Sequence, residues 1–106
     1  MTPYLQVVTT TETQSDAERI ARALVRERLA ACAQISGPIL SIYWWQGKME
    51  SSEEWRCVFK TSQTLYPQVE DAIRAEHPYA VPQIVALPIV EGSADYLNWL
   101  ERELQS

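Results

Sequence analysis

One imidazole, two thiols and four indoles set the chemical repertoire of this chain. The imidazole, His77, stands in Glu76-His77-Pro78-Tyr79, just past an expected helix end. It has two readings. Neutral imidazole suits copper, zinc and nickel, so His77 with Glu76 beside it is a candidate metal site. A histidine in that place also serves as a cap on the helix's free carbonyls. Cys32 lies among Ala30, Ala31 and Ala33, and Cys57 alternates with Trp55 and Phe59, so both thiols read as buried hydrophobes. Two cysteines without finger spacing form neither a disulfide framework nor a zinc knot. Lys48, Lys60 and Thr61 fall near strand ends, where they bind an anion or simply meet solvent. Trp44, Trp45 and Trp55 have a similar choice between stacking on a ligand and building a core or interface. With only three glycines there is no phosphate-cradling loop, and no Ser/His/Asp or Cys/His arrangement can be assembled. These residues point to binding or assembly rather than to catalysis, and no cofactor is required.

The elements that must position them follow from periodicity. Tyr4 to Thr10 is rich in β-branched and aromatic residues and reads as a strand. Ser15 with Glu18 three residues on makes a capping box, and Ala17, Ile20, Ala21, Leu24 and Val25 recur at helical spacing to an end near Leu29. From Ala31 to about Met49 the chain is strand-like, with a kink expected at Gly37-Pro38. Leu40, Ile42 and Trp44 share one face there, and Ile39, Tyr43 and Trp45 the other. A polar turn is expected around Glu50-Ser51-Ser52, followed by a return strand through Trp55, Cys57 and Phe59. That register places Cys57 opposite Trp44 and Trp45, far from Cys32. A second helix begins near Thr64, tolerates Pro67 in its first turn, buries Leu65, Val69, Ala72 and Ile73, and stops by His77 ahead of Pro78. Pro82 to Val90 reads as a last strand, and Gly92-Ser93 opens a short helix carrying Tyr96, Leu97, Leu100 and Leu104.

The order βαββαβ plus a closing helix predicts an α+β, ferredoxin-like split βαβ sheet with helices packed on one face. At 106 residues, the chain is read as a single domain over 1–106. Its long, apolar central hairpin is more than so small a sheet can cover, so self-association is expected. Fourteen acids against nine bases give a net charge of −5, which argues against nucleic acid and anionic membranes as partners. The N-terminus lacks the pattern of a signal peptide, and the chain is read as cytoplasmic.

Taken in order, Leu29-Ala30-Ala31-Cys32, Ser41-Ile42-Tyr43-Trp44-Trp45-Gln46-Gly47-Lys48, Lys60-Thr61, His77-Pro78-Tyr79, Val81-Pro82, Ile84, Leu87-Pro88 and Asp95-Tyr96-Leu97-Asn98-Trp99 resemble the CutA divalent-cation tolerance family. The resemblance runs from Val7 to about Trp99. It implies a ferredoxin-like subunit in a tight homotrimer, with long hairpin strands pairing across subunits, and a cytoplasmic role in tolerance of copper and other divalent cations. The family's proposed copper site carries over in part. His77 matches its imidazole, and Glu76 stands where some members have a second His. Thr9 stands where some have a thiol, and Gln46, Ala80 and Gln83 replace acids. Thr and Gln are poor ligands for borderline metals, so the site is depleted.

Two functions follow. In one, the homotrimer binds Cu(II) or a similar divalent cation weakly through His77 with Glu76. In the other, a fold-level likeness to PII signalling proteins suggests a sensor or adaptor. Its inter-subunit cleft, lined by Trp45, Lys48, Lys60 and Tyr79, would take a small anion or a partner segment. An acylphosphatase-like enzyme is the weakest reading, because Thr9 to Thr13 offers hydroxyls but no fixed cation where that family has its loop.

Overall fold

The computed structural model describes residues 1–105. Its elements are β1 (Tyr4–Thr11), α1 (Gln14–Arg26), β2 (Cys32–Trp45), β3 (Lys48–Ser62), α2 (Tyr66–Glu76), β4 (Val85–Pro88) and α3 (Ala94–Glu103). The sheet has the order β2-β3-β1-β4, with every neighbouring pair antiparallel. This is the expected ferredoxin-like arrangement. Strand alternation sends Val7, Cys57 and Phe59 to one face, where they meet Ala17, Ile20 and Leu24 of α1 and Val69 and Ile73 of α2 in the buried core. Each fully buried Val, Leu, Ile or Phe among them stabilises the fold by about 1.5–3 kcal/mol.

The opposite face holds α3. Tyr4 donates its hydroxyl to Glu101 at 2.6 Å, and Lys60 lies 5.9 Å from the centroid of the Tyr96 ring. Cys32, directly across the ladder from Lys60, sits 3.7 Å from Tyr96 Oη. Helices therefore cover both faces, which corrects the one-sided packing expected from the element order. The reason is local. Tyr96 and Leu100 share a side of α3, and Leu100 is fully buried.

Element boundaries moved where a cap or turn competes with periodicity. The N-cap of α1 is Thr13, whose Oγ1 accepts from the Asp16 amide at 3.1 Å, rather than Ser15. The hairpin turns at Gln46-Gly47, both with positive φ (50° and 81°), and not at Glu50-Ser51-Ser52. A two-residue left-handed turn matches the twist of the strands it joins, and it leaves Ser51 and Ser52 inside β3. With the turn shifted, Cys57 pairs with Ile35 rather than with the tryptophans, and both cysteines are free. The last strand is shorter than expected, four residues at the sheet edge.

The kink at Gly37-Pro38 is present as a register shift between Ser36 and Ile39. Gly37 is needed there because a Cβ would meet Cε3 of the Trp55 ring at 2.8 Å. Beyond this bulge the hairpin outruns its neighbours. The last partner of β1 is Trp55, so Ile39–Trp45 and Lys48–Glu54 pair only with each other. The projection gives the chain a length of 44 Å against a width of 25 Å.

Candidate functional site

Of the candidate residues, Glu76, His77, Tyr79 and Trp45 lie where the chain leaving α2 crosses the end of β1 and turns toward the hairpin. Arg19 of α1 fixes this corner. Its Nη1 bonds Asp16 Oδ1 at 2.7 Å, and its Nη2 donates to the Glu76 carbonyl, also at 2.7 Å. That hydrogen bond holds the Asp16 carboxyl below the usual carboxylate range. Pro78 prevents α2 from continuing, and His77 caps it with an extended backbone.

His77 is buried, and both ring nitrogens are engaged. Its Nε2 lies 2.8 Å from the Thr10 carbonyl oxygen, and the Tyr79 amide donates to Nδ1 at 3.1 Å. A carbonyl can only accept and an amide N–H can only donate, so the ring is the neutral Nε2–H tautomer. Its one lone pair is already used by Tyr79. As arranged, His77 pins the 77–84 segment to β1, and it can reach a metal only by giving up the Tyr79 bond. Glu76 is exposed at the last turn of α2, with its backbone carbonyl taken by Arg19.

Tyr79 carries the contact onward. Its ring lies 4.7 Å from that of His77, and its hydroxyl donates to Glu54 Oε2 at 2.7 Å. Burial, then the hydrogen bond to Glu54, push the Tyr79 phenol well above its ordinary range, with the Glu54 and Glu12 charges adding to the shift. Between this segment and the hairpin lies a cleft of about 660 Å³. It is lined by Thr10, Ser41, Ile42, Tyr43, Trp45, Glu54, Tyr79, Ala80, Val81, Pro82 and Gln83.

Of the four residues expected to share a cleft, Trp45 and Tyr79 meet here, and Lys48 and Lys60 stand elsewhere. Lys48 sits across from Trp45 at the turn, outside the lining. Lys60 is six residues along β3 from Glu54, roughly 20 Å away at strand spacing, and bonds Gln34 Oε1 at 3.2 Å. Thr61 is no anion ligand either, since it is buried with its hydroxyl on the Leu29 carbonyl at 2.7 Å. Within this one chain the cleft is acidic, because among the described residues Glu54 is its only charged lining residue, while the expected basic cleft lies between subunits. Sequence reasoning missed Glu54, since a turn placed at residues 50–52 hides that it faces the same side as Tyr43 and Trp45. Locating the turn at Gln46-Gly47 would have revealed it.

The remaining marked positions divide. Ala80 and Gln83 line the cleft, and Gln46 forms the turn. Thr9 is fully buried opposite Cys57, and among the described residues its hydroxyl has no hydrogen-bond partner. Cys57 is buried, which pushes its thiol up to about 12. Cys32 is only half-buried, against the reading of a core residue, and opens on a second groove with Val25 and Trp99. Among the described residues no three His, Cys, Asp or Glu gather into a metal-binding group. One chain alone therefore does not fit a three-ligand metal site. Among the described residues no helix is long and apolar enough to cross a membrane.

Comparison with known proteins agrees with the architecture. The family model described as "CutA1 divalent ion tolerance protein" matches residues 5–103. A divalent-cation tolerance protein CutA of Thermus thermophilus is 46% identical over 94 residues, covering 89% of this chain and 91% of its own. A solved structure of the divalent cation tolerance protein from that organism superposes with a TM-score of 0.93 at 42% identity, covering 96% of this chain and 99% of the other. A structure from Archaeoglobus fulgidus, named as a periplasmic divalent cation tolerance protein, has a TM-score of 0.93 at 35% identity with the same coverages.

Proposed function

The chain belongs to the CutA1 divalent ion tolerance family, and from that premise we propose that it serves cation tolerance as a homotrimer that binds Cu(II) or a similar divalent ion weakly. The observation that carries this reading is the uncovered apolar face of the hairpin. Leu40, Ile42, Trp44 and Met49 stand side by side there, between 64% and 73% exposed. A patch of this kind on a projecting hairpin is an aggregation hazard unless a second copy covers it. The resemblance drawn from the sequence supplies the number three.

Weak metal binding follows from the donor set. His77 gains a lone pair for a metal only by losing the Tyr79 hydrogen bond, a loss of about 1 kcal/mol. Glu76 is its exposed neighbour, and further ligands would come from adjacent subunits. The test is a calorimetric Cu(II) titration of tag-free protein and of His77→Ala, with molar mass from light scattering. Saturable heat in the wild type that is lost in the variant, on a particle of three chains, supports the reading. A monomer, or heat unchanged by the substitution, overturns it.

A further inference from the structure

The cleft between the 77–84 segment and the hairpin has a chemistry that divalent-ion tolerance leaves unused. We propose that it is a binding site for a small organic ammonium ion, with Glu54 as counter-ion and Tyr43, Trp45 and Tyr79 as its aromatic walls. The charge argument comes first. Glu54 is the only charged residue in the lining, and neither Lys nor Arg competes for it there. The residue is 8% exposed, and Tyr79 bonds only Oε2. Among the described residues Oε1 accepts no hydrogen bond. Oε1 is not among the fully buried atoms left without a partner, so it is reachable from the cleft and can accept a charge-assisted N–H brought by a ligand.

The walls suit a cation as well. Aromatic faces attract positive charge, and two of the three rings here, Tyr43 and Trp45, are still 42% and 46% exposed. Val81 and Pro82 add apolar surface for an alkyl chain. At about 660 Å³ the cleft falls in the ordinary range of small-molecule sites. A bare metal ion is poorly served by the same lining. It offers one carboxylate, and the nearby Thr10 carbonyl is already taken by His77. An anion would face Glu54, with the Glu12 charge also acting on Tyr79. What remains is a cation that carries its own N–H donors and apolar surface.

The experiment uses the intact protein in EDTA, so it is independent of the metal reading. Butylammonium chloride is titrated into ¹⁵N-labelled protein and compared with butan-1-ol, its neutral analogue, and with sodium chloride at equal ionic strength. The expected result is a saturable shift of the Trp45 indole and Tyr79 amide signals with the ammonium alone. Glu54→Gln, which keeps an acceptor for Tyr79, should weaken it about tenfold or more. Trp45→Ala, at a half-exposed position outside the core, should weaken it several-fold, in line with a lost cation–π contact. Equal shifts with butan-1-ol, no saturable shift, or an affinity unchanged in Glu54→Gln would each overturn the proposal.

Discussion

On one face of the projecting hairpin stand Leu40, Ile42, Trp44 and Met49, with no helix above them. On the other face Tyr43 and Trp45 look onto a loop, a phenol and a carboxylate. Both sets come from the same two strands, one residue out of step. The difference shows what a period of two can do in a segment without a core of its own. The first face continues the side that α1 and α2 cover lower down, so it inherits the apolar pattern and lacks the cover. The second face meets the segment that Pro78 releases from α2, and there the aromatic residues acquire polar neighbours. A one-residue slip in register would exchange the two faces.

The largest expected effect comes from charging the uncovered face. Trp44→Glu should abolish assembly at micromolar concentration, because it removes about 3 kcal/mol of burial in each subunit and adds an unpaired charge to the interface. Sedimentation would show this as a single-chain particle. A trimer that survives the substitution would mean that assembly lies elsewhere.

Gly37→Ala probes the bulge that aims both faces. Its Cβ would stand 2.8 Å from the Trp55 ring, so we expect a loss of about 1–3 kcal/mol in urea unfolding. Unchanged stability would show that the ring is free to move.

On the cleft face, Tyr79→Phe leaves the Glu54 carboxylate without its donor and should cost about 1–2 kcal/mol. The linkage has a definite sign. The Tyr79 phenol is raised in the folded state, so the stability it contributes is fully present below its unfolded value near 10 and is lost as pH rises above that. Denaturation between about pH 8 and 11 should therefore fall more steeply for wild type than for Tyr79→Phe. Parallel curves would break the link between phenol and carboxylate.

The smallest effect belongs beneath the helices, where the apolar pattern is covered. Thr9→Val removes a buried hydroxyl that has no partner and should stabilise the chain by about 1 kcal/mol. A loss of stability would reveal a hydrogen bond for Thr9.

Much of this was legible beforehand, and the exceptions have physical causes. Alternation through Trp55, Cys57 and Phe59 and helical spacing through Ile20 and Leu24 placed the core correctly, since long periodic segments are governed by burial. The resemblance from Val7 to about Trp99 led to the right family. The turn was misplaced because serines and an acid look more turn-like than Gln46-Gly47, while the decisive feature is a pair of positive φ angles. The expected cleft lies between subunits; within one chain Trp45 and Tyr79 come together, while Lys48, opposite Trp45 at the turn, and Lys60 fall outside that lining. His77 was visible as either ligand or cap. Its double engagement depends on Thr10, 67 residues away, a contact no local pattern contains.

The most direct test of the two-faced hairpin compares neighbours. Molar mass by light scattering, followed on dilution, should be measured for Trp44→Ala and Trp45→Ala. The account predicts that Trp44→Ala falls toward the single-chain mass of 12.1 kDa at concentrations where Trp45→Ala still holds three chains. Equal dissociation of the two variants, or dissociation of Trp45→Ala alone, would contradict it.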